Sequence, residues 1–142
     1  MANRIPTYVD ATSEKISEVP AGDFLSTEGS GLAEGHIELS GDNVVADLSS
    51  ASSFSITLTE STTVAFANPP ESGACGFTFE VIQDAGDSGF IVSWPLSVAW
   101  VDATAPTLSS GANKKDVFVF INTYVNSGSS GKYIGMIAGK NI

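Results

Sequence analysis

The stretch Phe54–Ala67, FSITLTESTTVAFA, decides the fold class. Phe54, Ile56 and Leu58 alternate with polar residues, which is the period of a half-buried strand. The pattern breaks at Glu60 and Ser61 and resumes with Val64 and Phe66. Two short strands joined by a tight connection are therefore expected. Outward from this stretch the same reading recurs. HIELSGDNVVADLSS (36–50) gives two short strands around the turn signal Ser-Gly-Asp-Asn, and CGFTFEVIQ (75–83) sets Cys75, Phe77, Phe79 and Val81 on one face. GFIVSW (89–94) sets Phe90, Val92 and Trp94 on one face before Pro95, and SVAWV (97–101) is short. DVFVFINTYV (116–125) is apolar at both phases, the mark of a strand buried on both sides, and KYIGMIAG (132–139) closes the series. Eight or nine short strands with closely spaced turn signals predict an all-β fold, expected as an antiparallel β-sandwich over 36–142 with no evident internal repeat.

Residues 1–35 are different. Two prolines bias Ile5 and Val19 toward extended backbone, and few apolar positions are periodic. An extended N-terminal arm is expected, with at most a short edge strand around Thr7 to Asp10. Its apolar groups, including Ile5, Tyr8, Val9, Phe24 and Leu25, are too many for a solvated tail. Docking on another chain accounts for them, with Arg4, Ile5, Pro6, Tyr8 and Val9 as the contact residues.

Composition bounds the function. The chain has 142 residues, enough for one domain with its own core, and a formal net charge of −10. That charge argues against nucleic acid, whose binding requires cations to displace counterions, and against anionic membrane surfaces. Cys75 is the only cysteine, so no intrachain disulfide and no cysteine-rich zinc site can form. No apolar run approaches the ~18 residues of a membrane span. The N-terminus lacks an apolar signal-peptide core, and synthesis in the cytosol is expected.

Catalytic patterns are weak. His36 is the only histidine, no Gly-x-Ser-x-Gly elbow accompanies it, and a surface or interface role is expected. A glycosidase would need two acids a fixed distance apart, for which Glu80 is a candidate on its strand. Asp84-Ala-Gly-Asp-Ser-Gly89 gathers two carboxylates and two glycines, but without the spacing of a calcium hand it reads as a polar turn. No Walker-type phosphate loop is present. Trp94 and Trp100 could serve as sugar platforms, but within VSWPLSVAW packing is the more ordinary role. No enzyme activity, metal or cofactor is expected.

Residues 89–142 carry a resemblance. Trp94-Pro95, the strand Val98 to Trp100, the turn Ala103 to Pro106, the loop Gly111 to Lys114, Asp116 to Phe120 and Tyr133 to Asn141 together resemble a module of tailed-bacteriophage virion proteins. The module recurs in tail fibres and in small capsid-associated proteins. This chain departs from it in VNSGSSGKY (125–133), where Tyr133 stands at the expected aromatic position. The resemblance implies a jelly-roll-like, virion-surface structural protein. A capsid decoration (cement) protein that binds the major capsid protein and stabilises the head fits the length. A tail fibre or adaptor bound to a tail protein is the alternative, and a host-glycan binding module a further one.

Charge distribution adds a partner expectation. Residues 1–112 hold fifteen acids and two bases, whereas 113–142 hold one acid and four lysines. Head-to-tail contact between a basic end and an acidic flank closes into rings, so a homotrimer is expected. Lys114, Lys115, Phe118, Phe120, Lys132 and Tyr133 are its expected interface residues.

Overall fold

A computed structural model describes residues 7–10, 15–18, 35–70, 74–123 and 132–142. The chain falls into two compact units, Met1–Ala33 and Glu34–Ile142. In the first, β1 (Thr7–Asp10) pairs antiparallel with β2 (Lys15–Glu18). The register sets Val9 opposite Ile16 and Asp10 opposite Lys15. The segment expected as at most a short edge strand of an extended arm is thus paired with a second strand. Arg4, Ile5 and Pro6 lie outside the described residues.

The second unit is all-β, with two sheets of mixed and parallel strands. Its strands are β3 (His36–Leu39), β4 (Asn43–Asp47), β5 (Ser53–Thr57), β6 (Thr62–Ala67), β7 (Cys75–Ile82), β8 (Val92–Ser93), β9 (Val98–Trp100), β10 (Lys115–Thr123) and β11 (Lys132–Gly139). One sheet has the order β3-β5-β7-β10-β11-β9 and the other β4-β6-β8. From β3 to β8, consecutive strands alternate between the sheets, and each lies parallel to the strand two before it. The result is a short stack of three coils, each giving one strand to each sheet. Only β7–β10 and β10–β11 are antiparallel among the described pairs of this unit, and β9 joins β11 in parallel.

The antiparallel pairing expected throughout, and with it the jelly-roll order, is therefore corrected. The reason lies in the connections. Glu60 and Ser61 do not reverse the chain beside itself but turn a corner into the other sheet. The corners stack as the strands do: Leu48 N–H donates to Ala67 O (2.9 Å), Leu58 N–H to Ile82 O (2.9 Å) and Thr63 N–H to Asp42 O (2.7 Å). At one corner Gly41 takes φ +112°, a conformation open to glycine and strained for other residues. At the next, Asp47 accepts from the N–H and hydroxyl of Ser49, at 3.0 and 2.6 Å.

Inward-facing residues of both sheets share one core. Ile37, Phe54 and Phe79 stand in register along one sheet, Val44 and Val64 along the other. Phe66 of the smaller sheet meets Phe77, Phe120 and Tyr133 of the larger, each at a ring-centroid distance of 4.9 Å. Each fully buried member, such as Phe54, Phe79 and Phe120, contributes about 1.5–3 kcal/mol of transfer free energy. Only one phase of β10 faces this core. Asp116, Phe118, Phe120 and Asn122 are buried, while Ile121 is 37% exposed and Val117 and Val119 are half-buried. The expectation of a strand buried on both sides is corrected, because no described element covers its outer face.

Candidate functional site

The N-terminal arm and the lysine-bearing end were the sequence's two candidate contact surfaces. Phe118 and Phe120 are fully buried and Tyr133 nearly so, all within the chain's own core. Expected at a subunit interface, they have no surface left to offer one. The physical reason is phase: they share the inward side of β10 and β11, and the opposite side carries the exposed pair Ile121 and Ile134, which face each other in the ladder.

Lys115 extends from β10 to Glu80 on β7, with Nζ 3.2 Å from Oε2 and both side chains about one-third exposed. This partly exposed pair is worth at most about 1 kcal/mol. Ile142 adds a bridge to the same strand end: Lys115 N–H donates to Ile142 O (3.1 Å), and Ile142 N–H to Lys115 O (3.0 Å). Lys114 is half-buried in the loop that closes on Gly111 O. Lys132 opens β11 opposite Thr123, and its side chain lies outside what is described. Tyr8 and Val9 lie on β1 opposite Ser17 and Ile16.

His36 sits at the exposed start of β3. Its Nδ1 and Nε2 hydrogen-bond the hydroxyls of Ser53 (2.8 Å) and Ser55 (3.0 Å) on β5. Both ring nitrogens are thereby used to fasten the outermost coil to the next. The Asp84 carboxylate closes its own loop, accepting from the N–H groups of Gly86 and Ser88 and the Ser88 hydroxyl, each at 2.9 Å. The Ser88 N–H foremost holds this carboxyl below the ordinary range, against a smaller opposing effect of desolvation. Asp87 accepts from Gly111 N–H at 2.6 Å and so ties two loops together. Among the described residues no group of three His, Cys, Asp or Glu converges on a metal position.

Cys75 is half-buried, and burial pushes its thiol up, opposed by hydrogen bonds with Asn122. It is a protonated thiol at neutral pH rather than an activated nucleophile.

One of the two tryptophans, Trp100, borders a groove. Trp94 packs against Phe118 (4.9 Å), Phe120 (5.2 Å) and Phe79 (5.5 Å). Trp100, 5.7 Å from Trp94, lies over Gly135, where an added Cβ would come within 2.8 Å of its ring. Past Trp100 the chain leaves β11 through a single 3-10 turn, Val101–Ala103. Asp102 and Ala103 both take left-handed φ, 59° and 55°. A groove of about 490 Å³ opens between this departing segment and β11 at Gly135–Ile137.

Sequence reasoning missed Asp116 as a structural centre. It is 2% exposed and accepts from Ser109 N–H and hydroxyl, both at 2.6 Å, and from Asn141 N–H at 3.0 Å. One signal existed: an acid at the inward phase of an apolar strand needs buried donors. Compared with protein-family models, curated proteins and solved structures, the chain finds no match.

Proposed function

We infer that the protein is a structural component of a tailed-bacteriophage virion, a decoration (cement) protein on the outer surface of the head. The observation that carries this reading is the fate of the residues behind the phage resemblance. Trp94, Asp116, Phe118 and Tyr133 all serve packing or loop closure. What the resembling module has in common is thus an architecture, and an architecture is what a particle-reinforcing protein supplies. The two sheets close as a sandwich around the Phe66–Phe77–Phe120 cluster. Among the described strands its first coil leaves both β3 and β4 as sheet edges, and sheet edges accept added strands.

Three copies form the functional unit. The outer face of β10 and β11, with Ile121 and Ile134 exposed and Lys114 and Lys115 alongside, meets an acidic flank of the next copy. The N-terminal unit, through Arg4 to Val9, contacts the major capsid protein. A role for the protein at the tail uses the same contacts on a tail protein. Binding to particles that lack the protein tests the assignment. A chain without residues 1–10 is expected to stay folded and lose particle binding; decoration at undiminished affinity would move the contact onto the β-stack.

A further inference from the structure

The groove beside Trp100 has a composition that packing does not account for. Its lining includes Trp100, Asp102, Thr104, Pro106, Thr107 and Ile137. Trp100 is partly exposed, and Asp102, Thr104 and Thr107 are exposed at the rim. Among the described residues the Asp102 carboxylate takes part in no hydrogen bond and no ion pair. The Thr104 hydroxyl donates only a long 3.3 Å bond, to Asp102 O. Two consecutive non-glycine residues in the left-handed region are costly, and such strain gathers where a backbone must hold a group for a ligand.

The same turn exposes backbone. β9 pairs with β11 only over Tyr133–Gly135, and Tyr133 N–H points to Ser97 O on the β9 side. By strand alternation Ile137 directs its N–H and C=O the same way, past the end of β9 and toward the groove.

We propose that the groove of Trp100, Asp102, Thr104 and Thr107 is a binding site for a neutral oligosaccharide. This proposal is independent of where the protein resides. A sugar offers an apolar C–H face and a ring of hydroxyls. The indole complements the first, and a carboxylate accepting from vicinal hydroxyls, with threonine hydroxyls and backbone groups beside it, complements the second. Charge selects within the class. The lining holds a carboxylate and no lysine or arginine, so sialylated, uronic or phosphorylated sugars are repelled. A peptide strand is the poorer occupant, because β9 already covers Tyr133–Gly135 and β11 ends at Gly139, which leaves only a short open edge.

The test is titration of the full chain with maltohexaose, mannohexaose, chitohexaose and sialyllactose, followed by tryptophan emission and calorimetry up to about 10 mM, a range suited to millimolar sites. Saturable binding of at least one neutral hexamer, and none of sialyllactose, is expected. Asp102→Asn keeps a residue that tolerates left-handed backbone and removes the charge. It should weaken binding about ten-fold or more, the size of a lost charge-assisted hydrogen bond, with an unchanged thermal midpoint. Thr107→Val provides a second, smaller loss. No saturable binding by any neutral hexamer overturns the proposal, and so does binding that Asp102→Asn leaves intact.

Discussion

The Asp116 carboxylate receives both donors of Ser109, N–H and hydroxyl, at 2.6 Å each, inside a chain segment otherwise lined with phenylalanine. With Asn141 N–H as its third partner, it fastens the 108–110 loop and the C-terminal residues to β10. Asp116→Ala leaves these donors without an acceptor. The expected loss is about 2–4 kcal/mol, read as a lower midpoint in thermal or urea unfolding. A change under about 0.5 kcal/mol would show that the loops are held by other means.

Gly135 and Trp100 make a similar lock by exclusion. Gly135→Ala sets a methyl group 2.8 Å from the indole, and either the ring or β9 must move. Destabilisation of about 1–3 kcal/mol is expected, together with red-shifted tryptophan emission as Trp100 gains water. An unshifted spectrum and midpoint would place the ring elsewhere.

Asp84 sets an acid limb. Its carboxyl lies below its ordinary value of 3.8 in the folded chain, with Ser88 N–H as the leading cause, and Asp47 is lowered chiefly by the Ser49 hydroxyl. A depressed carboxyl stabilises the fold above its unfolded pKa and loses that contribution as pH falls through the folded value. Stability from both groups is therefore complete at neutral pH and declines below about pH 4. Asp84→Asn should flatten the fall in unfolding midpoint below about pH 4. A variant curve parallel to wild type would count against the loop geometry.

The inside of this fold was legible, and its neighbours were not. Alternation named Phe54, Ile56, Val64, Phe77 and Phe79 as core, because a period of two reports which face is buried. It does not report which strand lies alongside. Parallel coils and antiparallel hairpins bury the same residues, so FSITLTESTTVAFA reads alike for both. No period betrayed the stack either, since Ile37, Phe54 and Phe79 are in register yet unevenly spaced along the chain. The interface residues failed for a related reason. Phe118 and Phe120 were judged by hydrophobicity, which does not distinguish the face toward the core from the face toward a partner. Asp102 was invisible, as its prominence comes from backbone conformation beyond Trp100.

Charge reversal tests the assembly. Lys114→Glu with Lys115→Glu is expected to shift sedimentation equilibrium from trimer to monomer. The fold itself should lose no more than about 1 kcal/mol, since the Lys115–Glu80 pair is partly exposed. A wild-type chain that is monomeric at micromolar concentration contradicts the trimer outright.

Cryo-electron microscopy of particles carrying the protein tests the central claim most directly. The account predicts discrete density on the outside of the capsomers, fitted by the two-sheet stack. Density confined to the tail, or particles without any density for this chain, would contradict it.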